Sequence, residues 1–238
     1  QDFRLFIADN NSTDTTLTLI KRFLHDNPIF QSRTTIRVIP ENHGFAKGVN
    51  QGLRTAIIRN MPVVFLLNPD MYIESTLLEK CVREIRARRD VDALCPKILY
   101  PNRRIWWIGT RIFSMRELLL RFTFKISEHL HKGQMWDAKK FQTTEVPAIT
   151  GGALFIKTEA IKRAGMFNEE YFMYAEDVDY SIRLRKFGYN LLCLTQATAY
   201  HTVDDTHVHL KKLITKLHKY KIYLTSVGHF LLDYHPKY

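Results

Sequence analysis

The sequence predicts an α/β fold in which a mostly parallel sheet is flanked by helices and followed by a C-terminal helical segment. Two observations support this prediction. Strand patterns alternate with helical patterns through the first half of the chain, which is typical of parallel strands joined by crossover helices. The run Val63–Leu67 is apolar throughout, as in strands that are covered on both faces.

The elements of the first half follow from local patterns. An apolar run over residues 3–9 ends in polar residues, which predicts a strand leading into a loop. Polar residues 10–14 can cap a helix over residues 15–25. The remaining predictions are a β-branched strand over 35–40, a helix over 44–58, the strand Val63–Leu67, an amphipathic helix over 77–88 and a strand over 92–99.

The second half is less regular, and residues 100–146 show no clean period. Beyond them, the patterns predict a strand over 150–157, a helix over 176–187, short strands over 191–194 and 199–201, and one long basic helix or a pair of helices over 205–232. We therefore expect one domain over residues 1–204 and a C-terminal basic helical segment over 205–238.

Composition narrows the range of partners. The formal net charge is +11, and this excess favours phosphorylated small molecules, anionic lipid or nucleic acid as partners. No apolar run approaches the roughly 20 residues of a membrane-spanning helix, and the first residues do not resemble a signal peptide. The three cysteines are far apart and predict reduced, buried thiols, as in a cytosolic protein.

A carboxylate follows the strand Val63–Leu67 directly, within Asn68-Pro69-Asp70. Ligands of such sheets bind beyond the carboxyl ends of the strands, and Mg²⁺ or Mn²⁺ usually takes one or two carboxylates together with substrate phosphates. The position therefore predicts a metal ligand at Asp70. The same tripeptide is also favourable turn chemistry, so a purely structural turn stays open here.

Three carboxylates in four residues begin the predicted helix over 176–187: Glu176, Asp177 and Asp179. Transfer to an acceptor hydroxyl needs a base, and a carboxylate can take that proton. Two structural explanations compete with this one. Acidic residues stabilise the first turn of a helix, and Asp179 can pair with Arg183 one turn later.

Glycines mark two further candidate segments. Gly44 and Gly48 lie in the loop over residues 42–50, where backbone and a helix N-terminus can approach a phosphate. The loop matches neither the GxGxxG fingerprint of dinucleotide-binding proteins nor a P-loop. A tightly packed helix start explains this loop equally well. Gly151-Gly152 begins a strand and indicates a bulge or a ligand close to backbone.

These motifs occur in a fixed order, which is more specific than any of them alone. In chain order they are DNNSTD at 9–14, NHGFAKGVNQGL at 42–53, LLNPD at 66–70, TGGA at 150–153, FNEEYFMYAEDVD at 167–179, then Arg183, Gly188-Tyr189 and His201. The set resembles the family 2 glycosyltransferases, especially their rhamnosyltransferase-like bacterial branch, over residues 3–201.

The resemblance implies a GT-A fold and a donor site for a nucleotide sugar. Asp9 would hydrogen-bond the base of the donor. The segment 42–50, with Asn42, Gly44 and Asn50 as substrate-binding residues, would shape the nucleotide pocket. The resemblance favours rhamnose on dTDP and leaves UDP- and GDP-sugars open.

The resemblance also implies a metal-dependent inverting transfer. Asp70 would bind Mg²⁺ or Mn²⁺ on the diphosphate, Asn68 would lie on the substrate side of the same motif, and His201 would reach the metal or the diphosphate. A lone histidine in this position is otherwise more often structural. Asp177 would deprotonate the acceptor hydroxyl, with Glu176 beside it.

The expected acceptor is a glycan or a lipid-linked glycan in cell-surface polysaccharide synthesis. Gly151 and Gly152 would border its site, and Trp106, Trp107 and Trp136 are expected to pack in the core or at that site. An anionic membrane surface is a further expected partner, with a cytoplasmic location at the inner face of the cell membrane. Nucleic acid is not expected, since a nucleic-acid-binding or scaffold protein would explain the charge but not the ordered motifs.

Two departures from the family pattern leave an alternative open. Relatives usually begin with a further strand and helix, which this sequence is expected to lack, and the metal motif carries Asn68 where many relatives have an aspartate. A protein that binds a nucleotide sugar without transferring it, or an inactive fragment, is therefore the alternative.

Overall fold

A computed structural model describes residues 3–107, 143–202 and 211–234 of this chain. Trp136 and the first residues of the predicted helix over 205–232 lie outside the described residues, as do the side chains of Trp106 and Trp107. The predictions for these residues therefore stay predictions.

Strands and helices alternate along the described chain. The strands are β1 (Leu5–Asp9), β2 (Thr34–Val38), β3 (Val63–Leu67), β4 (Met71–Ile73), β5 (Val91–Leu99), β6 (Ile105–Trp107), β7 (Thr144–Glu145), β8 (Ala153–Lys157) and β9 (Asn190–His201). The helices are α1 (Thr16–Asp26), α2 (Pro28–Gln31), α3 (Phe45–Ile58), α4 (Leu77–Ala87), α5 (Thr158–Ala164), α6 (Glu176–Lys186) and α7 (Lys211–Tyr234).

The described strands form two sheets. β1 and β2 pair in parallel, and a larger sheet follows the order β3-β8-β5-β9-β4, with β6 on β5 and β7 on β9. In the larger sheet β5 and β9 are parallel, whereas β8 is antiparallel to both β3 and β5, and β4 is antiparallel to β9.

The α/β class, the flanking helices and the C-terminal helix are confirmed, but the prediction of a mostly parallel sheet is wrong because the sheet is mixed. The physical reason is that an apolar run predicts burial on both faces and carries no information on strand direction. β3 and β8 are both apolar, yet they pair in opposite directions.

The core lies on both faces of the larger sheet. Alternate residues of β8 show this directly, since Leu154 and Ile156 belong to one buried cluster and Phe155 to the other. Helices α3, α5 and α6 contribute to the first cluster, and α4 contributes to the second through its buried face. This two-sided burial explains the continuous apolar runs that predicted the strands.

β9 is one continuous strand where the sequence predicted two short ones. Its pairing with β5 shifts register, because Pro96 lies opposite Leu194 while the next residue, Lys97, lies opposite Thr198. Residues 195–197 of β9 therefore have no partners on β5 in this register, and they interrupt the apolar pattern of the strand. β9 thereby reaches from the buried core to His201 at the sheet edge.

Helix α7 packs against the domain through its later residues, of which Val227 and Phe230 are buried. Phe230 forms a small apolar cluster with Tyr171, which precedes α6. No helix in the described ranges combines the length and the apolar character that crossing a bilayer requires.

The three cysteines are buried free thiols, as predicted. Cys95 and Cys193 lie opposite each other on β5 and β9. Burial raises the pKa of the Cys81 thiol to about 12, so this thiol stays protonated at neutral pH.

The stack between β3 and β8 gives a direct test of the core. Phe155 is fully buried, and its ring lies 4.1 Å from that of Phe65. We expect Phe155→Ala to lower the free energy of unfolding by about 3–5 kcal/mol, as measured by urea denaturation. The control is Phe23→Ala on α1, whose side chain is 52% exposed and which should cost far less. Equal losses at the two positions would contradict the assigned core.

Candidate active site

The predicted site residues meet at one end of the fold through a chain of contacts. The loops after β1 and β2 contact each other, the start of α3 contacts the segment before α6, and a glycine pair joins the acidic residues of α6 to the turn after β3. Each contact is described below in that order.

The loop after β1 is tied to the loop after β2 by one amide side chain. The Asn10 Nδ2 donates to Asn42 Oδ1 at 2.8 Å and to the Gly44 carbonyl at 3.0 Å. The Asn42 Oδ1 also accepts from the Gly44 N–H at 3.0 Å. Asp9 ends β1 in a buried position, where its Oδ2 accepts from the Ser12 N–H at 3.2 Å. The two loops therefore form a single polar surface.

Gly44 is required at the start of α3 for steric reasons. Its φ is 90°, in the left-handed region, and a Cβ there would overlap the Phe172 carbonyl oxygen. The next residue, Phe45, donates its N–H to that same oxygen at 2.7 Å. The close approach predicted for this glycine is thus made by protein backbone, and contact with a nucleotide stays a prediction.

Asn50 is buried on α3, and its amide is fully engaged within the protein. Its Nδ2 donates to the Phe167 carbonyl and to Glu169 Oε1, both at 2.9 Å, and its Oδ1 accepts from the Phe167 N–H at 3.1 Å. Through these contacts, Asn50 holds α3 against residues 167–169, which lie between α5 and α6. They give no support to direct substrate contact.

Asp70 and His201 form the second part of the site. The Asp70 Oδ2 lies 3.1 Å from the His201 Nε2. The Asp70 carbonyl accepts from both the N–H and the Oγ1 of Thr202, at 3.0 and 2.9 Å, which ties the turn after β3 to the end of β9. Met71 is paired with His201 in the sheet register. The two predicted metal ligands therefore lie together.

A carboxylate oxygen suits both Mg²⁺ and Mn²⁺, whereas an imidazole nitrogen suits transition metals, so of these two ions the pair fits Mn²⁺ better. Within the described ranges, no group of three or more His, Cys, Asp or Glu residues is arranged to hold a metal ion. The described protein groups thus offer a pair of ligands, which fits an ion that is also held by substrate phosphates.

The glycine pair joins this pair of ligands to the acidic residues. The Gly152 carbonyl accepts from the Asn68 N–H at 2.9 Å, and a Cβ on Gly152 would lie only 2.7 Å from the Met71 side chain. A Cβ on Gly151 would lie 3.1 Å from the Phe45 ring and 3.9 Å from the Asp177 Cβ. A Cβ at either position would require Met71 or Phe45 to shift, so the two halves of the site pack closely here.

Glu176 and Asp177 begin α6 and have unusual electrostatics. Burial, and secondarily the charge of Asp177, raises the pKa of Glu176 to about 8. The Glu176 Oε2 is buried and, within the described part of the chain, accepts no hydrogen bond. Burial also raises the pKa of Asp177, against the opposing effect of N–H groups on Val178 and Gly151. A carboxylate with a raised pKa is a competent general base near neutral pH.

Asp179, the third carboxylate, has a structural environment. Its Oδ2 pairs with Arg183 at 2.8 Å, as the spacing predicted, and its Oδ1 accepts from the Tyr234 hydroxyl at 2.6 Å. Arg183 also donates to the Ala164 carbonyl at 2.9 Å. Asp179 therefore has the structural role that the sequence allowed, because it forms the ion pair with Arg183. Glu176 and Asp177 remain the candidates for the base.

Two residues that the sequence analysis did not single out contribute to this site. Asn10 joins the two loops, and its only sequence signal is its place beside Asp9 in a polar run. Phe172 contributes a backbone carbonyl, a role that side-chain identity cannot reveal.

The raised pKa of Glu176 predicts a pH dependence of stability. The folded protein holds this proton up to about pH 8, whereas an unfolded chain releases it near the ordinary value of 4.5. Stability should therefore fall as pH rises between these values, and Glu176→Gln should remove at least about 1 kcal/mol of that fall. Urea denaturation at pH 5 and pH 8.5 measures the difference.

The matched control for this experiment is Glu79→Gln on α4, where the side chain is 67% exposed. This variant should keep the wild-type pH dependence. If Glu176→Gln also keeps it, then the Glu176 carboxyl is not protonated in the folded protein at neutral pH.

Comparison with known proteins adds independent information. The sequence model of glycosyl transferase family 2 matches residues 1–163. A low-salt glycan biosynthesis hexosyltransferase of Haloferax volcanii is 25% identical over 193 residues, which cover 80% of this chain and 57% of that protein. An N-acetylglucosaminyl-diphospho-decaprenol L-rhamnosyltransferase of Mycobacterium tuberculosis is 25% identical over 228 residues, which cover 83% of this chain and 66% of that protein.

A solved structure shares the fold. The mannosyltransferase PcManGT from Pyrobaculum calidifontis, in complex with GDP-Man and Mn²⁺, superposes with a TM-score of 0.57 at 18% identity, over 94% of this chain and 55% of that one. This chain thus spans between a half and two thirds of the length of these similar proteins. The family match ends before Glu176, so the acidic pair is assigned by the motif resemblance and the geometry.

Proposed function

This chain belongs to glycosyl transferase family 2, and from this premise we propose that it is an inverting glycosyltransferase. It moves a sugar from a nucleotide-diphosphate sugar to a glycan or lipid-linked acceptor in cell-surface polysaccharide synthesis. The observation that carries this proposal is the contact path from the acidic pair, Glu176 and Asp177, through Gly151 and Gly152 to the turn that bears Asp70.

Asp177 acts as the base. Its surroundings raise the pKa of this carboxyl, so it accepts the acceptor's hydroxyl proton more readily than an exposed aspartate does. Glu176 holds a proton at neutral pH because its pKa is about 8, so it adds no second negative charge beside Asp177. A single base on the face of the sugar opposite the leaving group is sufficient for a one-step displacement with inversion.

Asp70 and His201 are the residues that would hold the divalent cation, Mg²⁺ or Mn²⁺, that the transfer uses. The bound ion supplies positive charge that stabilises the departing nucleoside diphosphate. Asn68 and the loop surface formed with Asn42 then face the donor. The oxygen and nitrogen donors of this pair, and the Mn²⁺ in the structurally similar mannosyltransferase complex, support this assignment.

Rhamnose carried on dTDP is the proposed donor, ahead of other hexoses on UDP or GDP. The similar rhamnosyltransferase of M. tuberculosis supports rhamnose as the sugar, and the acceptor in its name, a lipid-linked diphospho-sugar, supports a lipid-linked acceptor. We propose that residues 1–204 form the transferase domain. The basic segment 205–238 faces an anionic membrane surface at the inner side of the cell membrane, which the net charge of +11 supports.

Nucleotide binding tests the donor and metal assignments together. We expect one of dTDP, UDP and GDP to bind in calorimetric titration with Mn²⁺, and Asp70→Ala to weaken that binding at least about tenfold because a metal ligand is lost. The matched control is Asp90→Ala, an exposed carboxylate that pairs with Arg88. Metal-independent binding, unaltered in Asp70→Ala, would show that Asp70 does not hold an ion.

Turnover tests the assignment of the base. Asp177→Asn keeps the shape of the side chain and removes its basicity, so we expect kcat to fall by about 10²- to 10⁴-fold with little change in nucleotide affinity. The measurement is nucleoside diphosphate release from dTDP-rhamnose with an N-acetylglucosaminyl-diphospho-polyprenol acceptor. A wild-type chain that binds nucleotide but never releases sugar to an acceptor would identify a binding protein instead.

A further inference from the structure

The segment before the acidic pair, residues 171–175, is held from two sides, and only one of them belongs to the site described above. On the inner side, the Phe172 carbonyl accepts from the Phe45 N–H at 2.7 Å. On the outer side lies the C-terminal helix α7, whose contacts the proposed chemistry does not use.

Helix α7 contacts this segment at three of its five residues, Tyr171, Met173 and Tyr174. The buried Tyr171 donates its hydroxyl to the Asp233 carboxylate at 2.8 Å. The Met173 carbonyl accepts from the buried Ser226 hydroxyl at 2.7 Å. The Tyr174 ring then packs edge-on against Tyr223, with ring centroids 5.8 Å apart. Two of these contacts are hydrogen bonds, so they fix position as well as distance.

The same helix also holds α6 beyond the acidic pair. Tyr234 donates its hydroxyl to Asp179 at 2.6 Å, and Lys186 lies 4.9 Å from the centre of the Tyr234 ring. Glu176 and Asp177 are therefore flanked on both chain sides by residues that α7 fixes.

The backbone at this point needs such support. Tyr174 has a φ of 73° and Ala175 a φ of 66°, two consecutive left-handed residues with side chains. This conformation is unfavourable for any residue with a Cβ and persists only where surrounding contacts impose it. Ala175 is also the residue that precedes α6, so its conformation sets the direction in which Glu176 and Asp177 leave the segment.

We propose that α7 is a working part of the active site, in which Ser226 and Asp233 are positioning residues. They hold the backbone of residues 171–175 in its left-handed turn, and this holds Asp177 against Gly151. The holding itself is independent of the proposed function, whereas its effect on turnover rests on the assignment of Asp177 as the base.

The first test compares two neighbouring hydroxyls on α7. Ser226→Ala removes the hydrogen bond to the segment, whereas Thr225→Ala removes an exposed hydroxyl that donates to the Lys221 carbonyl of its own helix. We expect Ser226→Ala to lower kcat by about 10- to 100-fold with the donor KM within about twofold of wild type, since misplacing a reacting group costs rate more than ground-state binding. Thr225→Ala should leave both constants unchanged.

The second test uses an exposed position, where loss of folding is not a concern. Asp233→Ala removes the acceptor for the Tyr171 hydroxyl, whereas Asp233→Asn keeps an oxygen that can accept it. We expect a fall in kcat in the alanine variant and its recovery in the asparagine variant. Equal kcat in both variants and wild type would overturn the role of Asp233.

Amide hydrogen exchange of the whole chain, without substrate, separates this inference from the proposed function. Ser226→Ala and Asp233→Ala should speed exchange at residues 172–177 at least about tenfold while β5 and β9 keep their protection. If the wild-type chain has no turnover, the proposed function fails while exchange still decides whether α7 holds the segment. Unchanged exchange in both variants would overturn the inference, whatever the activity.

Discussion

The arrangement depends on one backbone contact, in which the Phe45 N–H at the start of α3 donates to the Phe172 carbonyl. The first N–H groups of a helix have no partner within it, so they bind whatever acceptor is brought to them. Here the acceptor belongs to the segment that leads into α6. The absence of a side chain at Gly44 is what allows the approach. The loop surface around Asn42 and the acidic pair are thereby fixed relative to each other.

The electrostatics of the site follow from this close packing. Glu176 is buried and Asp177 is partly buried, and this burial disfavours their charged forms and raises the pKa of both. Asp70 is in the opposite situation, because its side chain is 49% exposed and faces an imidazole. The turn after β3 thus presents a half-exposed carboxylate, whereas the two carboxylates at the start of α6 are less accessible to water. Asp70, Asp177 and Asp179 have the same side chain but different surroundings: Asp70 is half exposed, Asp177 is partly buried, and Asp179 pairs with Arg183.

Local sequence patterns predicted where the helices and strands lie, but they did not predict whether paired strands run parallel or antiparallel. β3 was predicted with its observed bounds, Val63–Leu67, because a short apolar run between polar residues is typical of a strand that packs on both faces, as β3 does against the two buried clusters. The antiparallel direction of β8 and the continuity of β9 depend on pairings across the sheet, which no window of sequence contains. The ordered motifs identified the family and named Asp70 and His201, which lie together. The engagement of Asn50 with Phe167 was hidden, since its partners lie 117 residues away along the chain.

The contacts of α7 have a consequence for how the site forms during synthesis. Every other contact of the site involves residues up to 202, whereas Ser226, Asp233 and Tyr234 emerge from the ribosome later. A nascent chain thus contains Asp70, His201 and both acidic residues before it contains the helix that fixes the turn between Tyr171 and Glu176. Until that helix docks, the turn lacks its outer support and is free to leave its left-handed conformation. The unfinished protein consequently holds Glu176 and Asp177 without the contacts from α7 that fix the turn before them.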